Sequence, residues 1–268
     1  MPRDRHVPSL RHPRESGEPV SPSSSPGSLT LVGVGYGIAA QVTAEAHAAL
    51  VDAERLFYLV TDPATAAYLQ RLNSTAETLA GEYGEGVDGL SASAAMVERI
   101  LGTVRGGART CAAFSGHPSL FCGPTLPALR AAQAEGYPAR ILAGVSCEDV
   151  LWAELGGEAL AERGRLLYEA TDFLVRPRIF DPALPLVLLQ VGVIGLRGYR
   201  AGAAGHREGV VILTEVLLAT YPPAHPVILF EASPWPLLPS RLERLELAHL
   251  PEAAISVQST LLVLPYRG

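Results

Sequence analysis

The sequence predicts a two-domain α/β protein with a parallel sheet in its N-terminal domain and a mixed sheet in its C-terminal domain. The chain has 268 residues, of which 48% are hydrophobic and 18% are charged. That is enough apolar material for about two cores at the usual ~150 residues per domain. Strand and helix patterns alternate in the first half, as in a parallel sheet covered by helices. Strand patterns outnumber helices in the second half, which favours a mixed sheet with antiparallel pairs.

The domain limits follow from composition. Residues 1–27 are rich in Pro, Ser, Arg and Glu and carry too few apolar residues to order themselves, which predicts a disordered leader. The alternative is a leader that docks on a partner. The apolar pattern of strands and helices becomes less regular between Gly156 and Gly164. We therefore predict an N-terminal α/β domain over residues 28–157 and a C-terminal mixed α/β domain over residues 158–268.

The N-terminal elements are predicted from apolar periodicity and turn residues. Residues 29–35 are typical of a buried strand that enters a glycine turn, and Thr43 is suited to cap the helix that runs to Asp52. The further predicted elements are a strand at 55–60, helices at 63–72 and around 96–104, a strand at 110–114 and a helix at 124–135.

The C-terminal elements are mostly strands. The pattern predicts strands at 166–169, 186–193, 227–232 and 259–264, and one strong helix at 208–219. This order of elements indicates antiparallel pairing in the second sheet.

Charge and hydropathy exclude two classes of partner. The formal net charge is −6 and no Lys/Arg-rich run occurs outside the leader, so we expect no nucleic-acid partner. The most apolar stretch, residues 184–196, is shorter than the ~20 residues that a membrane span needs and contains Gln190. No signal segment opens the chain, so we expect no membrane association and a cytoplasmic location.

Residue usage also limits the chemistry. All 21 basic residues are arginines. The absence of lysine excludes a Schiff base, a pyridoxal phosphate anchor and the lysine of a P-loop. Cys111, Cys122 and Cys147 are too few for a disulfide framework, and no Cys or His spacing suits a metal. We expect reduced thiols and no metal site.

Three turns at predicted strand ends are candidates for ligand binding. The glycine turn at 33–37 lacks the GxGxxG spacing of a dinucleotide site, so it suits a ligand without phosphate, or serves only as a tight strand exit. The Ser-Gly-His-Pro turn at 115–118 follows a strand at the sheet edge where α/β proteins bind ligands, although a lone histidine is more often structural. Ser146, in the third turn, is suited to cap a helix.

Five segments occur in the order and spacing of a known family. They are Gly116-His117-Pro118, Glu135-Gly136-Tyr137, Gly144-Val145-Ser146, Tyr168-Glu169-Ala170-Thr171-Asp172-Phe173-Leu174 and Gln190-Val191-Gly192-Val193-Ile194-Gly195. The chain resembles the tetrapyrrole methylase superfamily of S-adenosylmethionine-dependent methyltransferases. Within it, the sequence is most similar to the borosin peptide backbone α-N-methyltransferases, over about residues 29–265.

The resemblance implies the tetrapyrrole methylase fold, a homodimer of two-domain subunits, and S-adenosylmethionine bound between the domains. A donor with a sulfonium, an amino acid end and an adenine is suited by backbone carbonyls, amides, hydroxyls and apolar walls. Position by position, the resemblance assigns donor binding to Ser115, His117, Leu120, Gly123, Cys147, Gln190, Ala232, Ser259 and Thr260.

The catalytic positions of the family are altered in this chain. In borosin enzymes an arginine and two tyrosines withdraw the amide proton and stabilise the imidate oxygen, and the resemblance places these at Gly89, Ser93 and Ser115. A tyrosine of the substrate clamp falls on Ala80, whereas Tyr83 is retained and is the remaining catalytic candidate. Glycine and serine do not replace a guanidinium or a phenol. The altered residues indicate either an inactive relative or a pocket for a more nucleophilic acceptor atom.

The acceptor is open at this stage. The resemblance implies a precursor peptide on a separate chain, because the sequence ends at Gly268, directly after the last predicted strand. The alternatives are a methyltransferase for a small molecule such as a tetrapyrrole, and a pseudoenzyme that binds the donor without turnover. A neighbouring gene for a short peptide would favour the first function, and a corrin or haem pathway neighbourhood would favour a small-molecule acceptor.

Overall fold

The computed structural model describes residues 26–84, 87–156, 164–176, 179–196, 206–235 and 237–267. It contains two five-stranded sheets with helices packed on them, so the predicted α/β class is confirmed. The predicted domain boundary at 157/158 and residues 1–25 of the leader lie outside the described residues. Among the described helices, none combines the length and apolar character that crossing a bilayer requires.

The first sheet is parallel, with the strand order β3-β2-β4-β1-β5. Its core is formed by buried apolar side chains on both faces of the central strands. The strands are β1 (Ser28–Gly33), β2 (Arg55–Leu59), β3 (Glu77–Thr78), β4 (Arg109–Phe114) and β5 (Ala139–Leu142). The helices are α1 (Ala44–Asp52), α2 (Pro63–Leu72), α3 (Gly89–Arg105), α4 (Thr125–Ala134) and α5 (Cys147–Glu154).

Side-chain caps set the starts of several helices. Thr43 Oγ1 accepts a hydrogen bond from the third residue of its helix, at 3.1 Å from Ala46 N, as its predicted capping role requires. α2 begins with Asp62 as the cap and Pro63 as the first residue. Ser146 and the side chain of Asp149 form a reciprocal capping box at the start of α5. The cap at Ser146 therefore directs the turn after β5 into a helix.

The second sheet is mixed, with the strand order β6-β7-β10-β8-β9. The β6–β7 pair is parallel and the other pairs are antiparallel. The strands are β6 (Leu166–Glu169), β7 (Leu186–Leu189), β8 (Pro226–Glu231), β9 (Arg241–Glu246) and β10 (Thr260–Val263). The helices are α6 (Ala170–Val175) and α7 (Arg207–Leu218), and both pack on one face of this sheet.

Three local predictions differ from the structure. The strand predicted at 186–193 ends at Leu189, because Gln190 adopts the left-handed conformation with φ of 61° and a 3₁₀ turn follows. The helix predicted around residues 96–104 is present as part of α3, which extends further toward the N-terminus and begins at Gly89, because Asp88 caps it there. β9, at an edge of the sheet, was not predicted, because its two leucines are three positions apart among four charged residues and so lack the two-residue alternation of a strand.

Candidate functional site

Three glycine turns meet at the carboxyl edge of the parallel sheet. β4, β1 and β5 are neighbours, so the turns that follow them lie side by side. A Cβ added at Gly33 would lie 2.3 Å from the Gly116 carbonyl oxygen, and one at Gly144 would lie 2.4 Å from the same atom. Real Cβ atoms do not approach a backbone oxygen so closely, so this packing requires glycine at both positions.

The first of these turns leaves no amide cradle for a phosphate. Gln41 Oε1 accepts hydrogen bonds from Tyr36 N at 2.7 Å and from Gly37 N at 3.1 Å. A phosphate would need these backbone N–H groups free and a helix N-terminus behind them. The structure therefore agrees with the expectation that this turn does not bind a dinucleotide pyrophosphate.

A cavity of about 400 Å³ opens beside these turns, between the two domains. Residues of both sheets and of the loops at their edges form its wall. The predicted site residues that line it are Tyr83, Ser115, His117, Leu120, Gly123, Cys147, Gln190 and Thr260. Gly89, which the resemblance places at a catalytic position, lines the same cavity.

Two predicted donor-binding residues do not line the cavity. Ser259 is fully buried, and its hydroxyl donates to the carboxylate of Glu231 at the end of β8. Ala232 packs against a buried apolar cluster that includes Leu151 and Phe230. Ser93, which the resemblance also places at a catalytic position, lies outside the lining, with its hydroxyl against Gly123.

Ser115 and His117 are held by local contacts in the turn after β4. Ser115 Oγ accepts a hydrogen bond from Thr61 N at 3.1 Å, which ties the ends of β4 and β2 together. His117 Nδ1 accepts from Ser119 N at 3.2 Å and lies 3.0 Å from Ser119 Oγ. Because Nδ1 acts as the acceptor, a neutral His117 carries its proton on Nε2.

A hydrogen bond joins the two domains at the mouth of the cavity. Gln190 Nε2 donates to the carbonyl of Phe121 at 3.3 Å. Both residues have positive φ, 61° for Gln190 and 51° for Phe121, although neither is glycine. Such conformations cost on the order of 1 kcal/mol each and persist where the surrounding structure enforces them. This strained pair therefore fixes the position of the Gln190 amide against the first domain.

The cavity holds two thiols and a phenol whose titration is altered by burial. Burial raises the pKa of the Cys122 thiol to about 11. Burial also raises the pKa of Tyr83, and the neighbouring Cys122 adds to the rise. For Cys147, burial raises the pKa, while hydrogen bonds with Tyr36 and Thr260 partly offset it. All three groups are therefore protonated near neutral pH.

We expect Cys122 and Cys147 of the folded protein to be alkylated slowly by iodoacetamide at pH 8. The thiolate is the reactive form, and a shift of the pKa from 9.0 to about 11 lowers the thiolate fraction of Cys122 about 100-fold. Peptide mass spectrometry measures the rate of alkylation of each cysteine in the folded protein and in the protein unfolded by urea.

The raised pKa of Cys122 also makes the free energy of unfolding depend on pH. The thiols favour the folded state fully below pH ~9, and this contribution is lost as the pH rises toward 11, because the unfolded thiols ionise first. Equal alkylation rates for Cys122 in the folded and unfolded protein at pH 8 would contradict this account.

A sequence model described as Tetrapyrrole (Corrin/Porphyrin) Methylases matches residues 28–165 of the chain. The chain belongs to the tetrapyrrole methylase family. The match covers the whole parallel sheet and the three glycine turns.

Several relatives of this tetrapyrrole methylase family member are proteins named as a methyltransferase and a ribosomally synthesised cyclic peptide precursor. The omphalotin A precursor of Omphalotus olearius is 35% identical over 237 residues, which are 88% of this chain and 56% of that protein. The dendrothelin A precursor of Dendrothele bispora is 36% identical over 81% of this chain and 51% of its own length. A type III borosin precursor of Anomoporia bombycina is 35% identical over 92% of this chain and 29% of its own length. The chain thus spans about half the length, or less, of these relatives.

Solved structures of the family share the fold. Uroporphyrin-III C-methyltransferase from Thermus thermophilus, complexed with S-adenyl homocysteine, superposes with a TM-score of 0.62 and 20% identity, covering 89% of this chain and 97% of that one. Cobalt precorrin-4 methyltransferase superposes with a TM-score of 0.65 and 16% identity, covering 91% and 98% of the two chains. At these identities the likeness establishes the fold alone.

Sequence reasoning missed several lining residues of this tetrapyrrole methylase. Four of them stand at or just beyond the end of a strand, and Gln258 stands just before β10: Tyr36, Thr61, Glu169, Thr171 and Gln258. The available signal was position, because residues just after parallel strands gather at one edge of the sheet.

In the part of the chain that the structure describes, no three His, Cys, Asp or Glu side chains group closely enough to hold a metal.

Proposed function

We propose that this protein is an S-adenosylmethionine-dependent methyltransferase that acts on a peptide. The observation that carries the proposal is the convergence of three glycine turns on a cavity between the two domains. The relatives, which are named as methyltransferases joined to peptide precursors, support methyl transfer and a peptide acceptor.

The wall of the cavity fits a donor of this class. When bound, S-adenosylmethionine supplies an electrophilic methyl group on a positively charged sulfonium sulfur. Among the described lining residues, Glu169 is the one carboxylate and no arginine is present, so the wall suits a cation better than a phosphate. Hydroxyl, amide and thiol groups of Ser115, Gln190, Cys147 and Thr260 offer hydrogen bonds, and apolar side chains exclude water.

We propose that the acceptor atom is nucleophilic by itself and does not need a protein group to remove its proton. Methylation of a backbone amide needs a group that takes the proton and a cation or donor for the developing oxygen charge. Gly89 and Ser93 supply neither, and the Ser115 hydroxyl already holds Thr61 N. The raised pKa of Tyr83 makes its phenol a proton donor near neutral pH rather than a base. The main contribution of this chain to the rate of methyl transfer is then that it holds the donor and the acceptor together.

A small-molecule acceptor is the second candidate. One observation favours it: a Cβ added at Gly89, on the cavity wall, would have no atom within 4 Å. The room beside Gly89 is available to an acceptor bulkier than an extended peptide. A pseudoenzyme that binds the donor without turnover would show the same cavity and fail every transfer assay.

We also propose a homodimer in the cytoplasm. The face of α7 opposite the core exposes Val211, Ile212 and Val216, and a helix that is apolar on both faces is usually covered by a partner. Sedimentation of the full chain distinguishes a dimer from a monomer.

Transfer is tested by mass spectrometry of the protein co-expressed with candidate precursor peptides. Added methyl masses on a peptide support the proposal, and fragment ions locate the methylated atom. A methylated side chain would support a nucleophilic acceptor. Methylated backbone amides would contradict that part of the proposal.

Donor binding is predicted separately from turnover. We expect S-adenosylhomocysteine to bind the unaltered protein and to raise its melting temperature, because a ligand that binds only the folded state stabilises it. Gln190→Ala and Thr260→Ala should each weaken binding about 5- to 20-fold, since each removes a hydrogen-bonding side chain from the wall. Titration calorimetry and thermal melts measure both effects.

Ser74→Ala is a matched control, because Ser74 is an exposed residue outside the cavity. This variant should bind like the unaltered protein. No detectable binding by the unaltered protein would rule out the methyltransferase assignment.

A further inference from the structure

Tyr36 is held in the cavity wall by its backbone. It follows β1 in the glycine turn, and its N–H donates to Gln41 Oε1 at 2.7 Å. Gly35 leaves room for this contact, because a Cβ there would lie 2.6 Å from Gln41 Oε1, and its φ is +70°. Gln41 therefore positions Tyr36 by closing the turn behind it.

The side chain of Tyr36 is fixed by the two other turns. A Cβ added at Gly116 would lie 2.9 Å from Tyr36 Cε2 and 3.2 Å from its hydroxyl oxygen. Tyr36 lines the cavity together with Cys147 and with Thr260 of the second domain, and both of these neighbours of the Cys147 thiol lower its pKa. We call Tyr36, Cys147 and Thr260 the Tyr36 cluster. It joins three chain segments and both domains on the cavity wall.

The groups around the cavity favour a cationic ligand at this cluster. A phenol ring, a neutral thiol and a hydroxyl are electron-rich, and an aromatic ring attracts a cation through its quadrupole. Glu169 adds a negative charge to the same wall, and no arginine belongs to the described lining. A ligand that carries its positive charge at the cluster therefore binds more tightly than a neutral ligand of the same shape.

We infer that Tyr36 is a donor-binding residue that recognises the positive charge of the sulfonium, and that Gln41 positions it. The inference rests on the proposed function. The product nucleoside has the same skeleton but carries a neutral thioether. Tyr36 therefore raises the affinity for the donor relative to the product, which limits product inhibition.

The test compares the affinities of S-adenosylmethionine and S-adenosylhomocysteine by titration calorimetry. We expect Tyr36→Leu to lower the ratio of the two affinities about 5- to 10-fold, mainly through weaker binding of S-adenosylmethionine. Tyr36→Phe keeps the ring and should change the ratio less than about twofold. Tyr68→Leu is the matched control, because Tyr68 belongs to α2, packs on the core of the first sheet and does not line the cavity, and it should leave the ratio unchanged.

The outcomes separate this inference from the proposed function. Failure of both nucleosides to bind the unaltered protein overturns the proposed function. Binding of both, with the same ratio in Tyr36→Leu as in the unaltered protein, overturns the inference alone. An equal loss of both affinities also overturns it, because it indicates a structural role. Tyr36→Met, which keeps much of the side-chain volume without a ring, provides the same comparison if Tyr36→Leu does not melt as a folded protein.

Discussion

Combining Gly89→Arg, Ser93→Tyr and Ser115→Tyr is expected to raise methylation of backbone amides in a borosin-type peptide at least about 100-fold. The guanidinium would stabilise the imidate oxygen, and the phenols would take part in removing the amide proton. Gly89 is on the cavity wall, and a Cβ added there would have no atom within 4 Å, so the first atom of the new side chain displaces nothing. Single substitutions should have little effect, because groups that act as a unit are strongly non-additive.

A variant of matched bulk controls for shape. Gly89→Gln, Ser93→Phe and Ser115→Phe together fill similar space without the cation or the phenols, and they should not raise amide methylation. Quantitative mass spectrometry of the peptide over time measures both variants. The prediction is wrong if the unaltered protein already methylates backbone amides at rates typical of enzymes, and Tyr83 would then be the nearest candidate for the proton chemistry.

Gly144→Ala is expected to destabilise the folded state by at least about 3 kcal/mol and to abolish binding of S-adenosylhomocysteine. The new Cβ would lie 2.4 Å from the Gly116 carbonyl and 2.7 Å from Gly33 Cα. Both neighbours are backbone, so the contact is relieved only by moving the turns apart. Urea denaturation measures the free energy of unfolding, and calorimetry measures ligand binding.

Gly102→Ala controls for the general effect of replacing glycine. Gly102 lies within α3, where a Cβ would meet no atom within 4 Å. Alanine should stabilise the helix there by about 0.5–1 kcal/mol and leave binding unchanged. A Gly144→Ala protein as stable as the unaltered one would show that the three turns are less tightly packed than the structure indicates.

Local signals in the sequence were sufficient for much of the fold. Asp62 and Pro63 fix the start of α2, which runs over Pro63–Leu72 as predicted. β6 also has its predicted bounds, Leu166–Glu169. The three turns that carry the site were identified because glycine, which allows positive φ, and proline, which fixes φ, mark turns at strand ends. Caps, turns and apolar periodicity involve residues a few positions apart, so they are visible along the chain.

The sequence by itself thus determined the fold class, the family resemblance, the absence of lysine and the place of the cavity at the edge of the parallel sheet. Tertiary structure decided which side chains reach the cavity. Ser259 turns to Glu231, 28 residues away, rather than to the cavity, and Gln41 fills the glycine turn that holds Tyr36. Gln190 leaves the strand conformation to meet Phe121, 69 residues away in the other domain. The direction of a side chain is set by its contacts with distant segments, and these exist only after the two sheets have packed together.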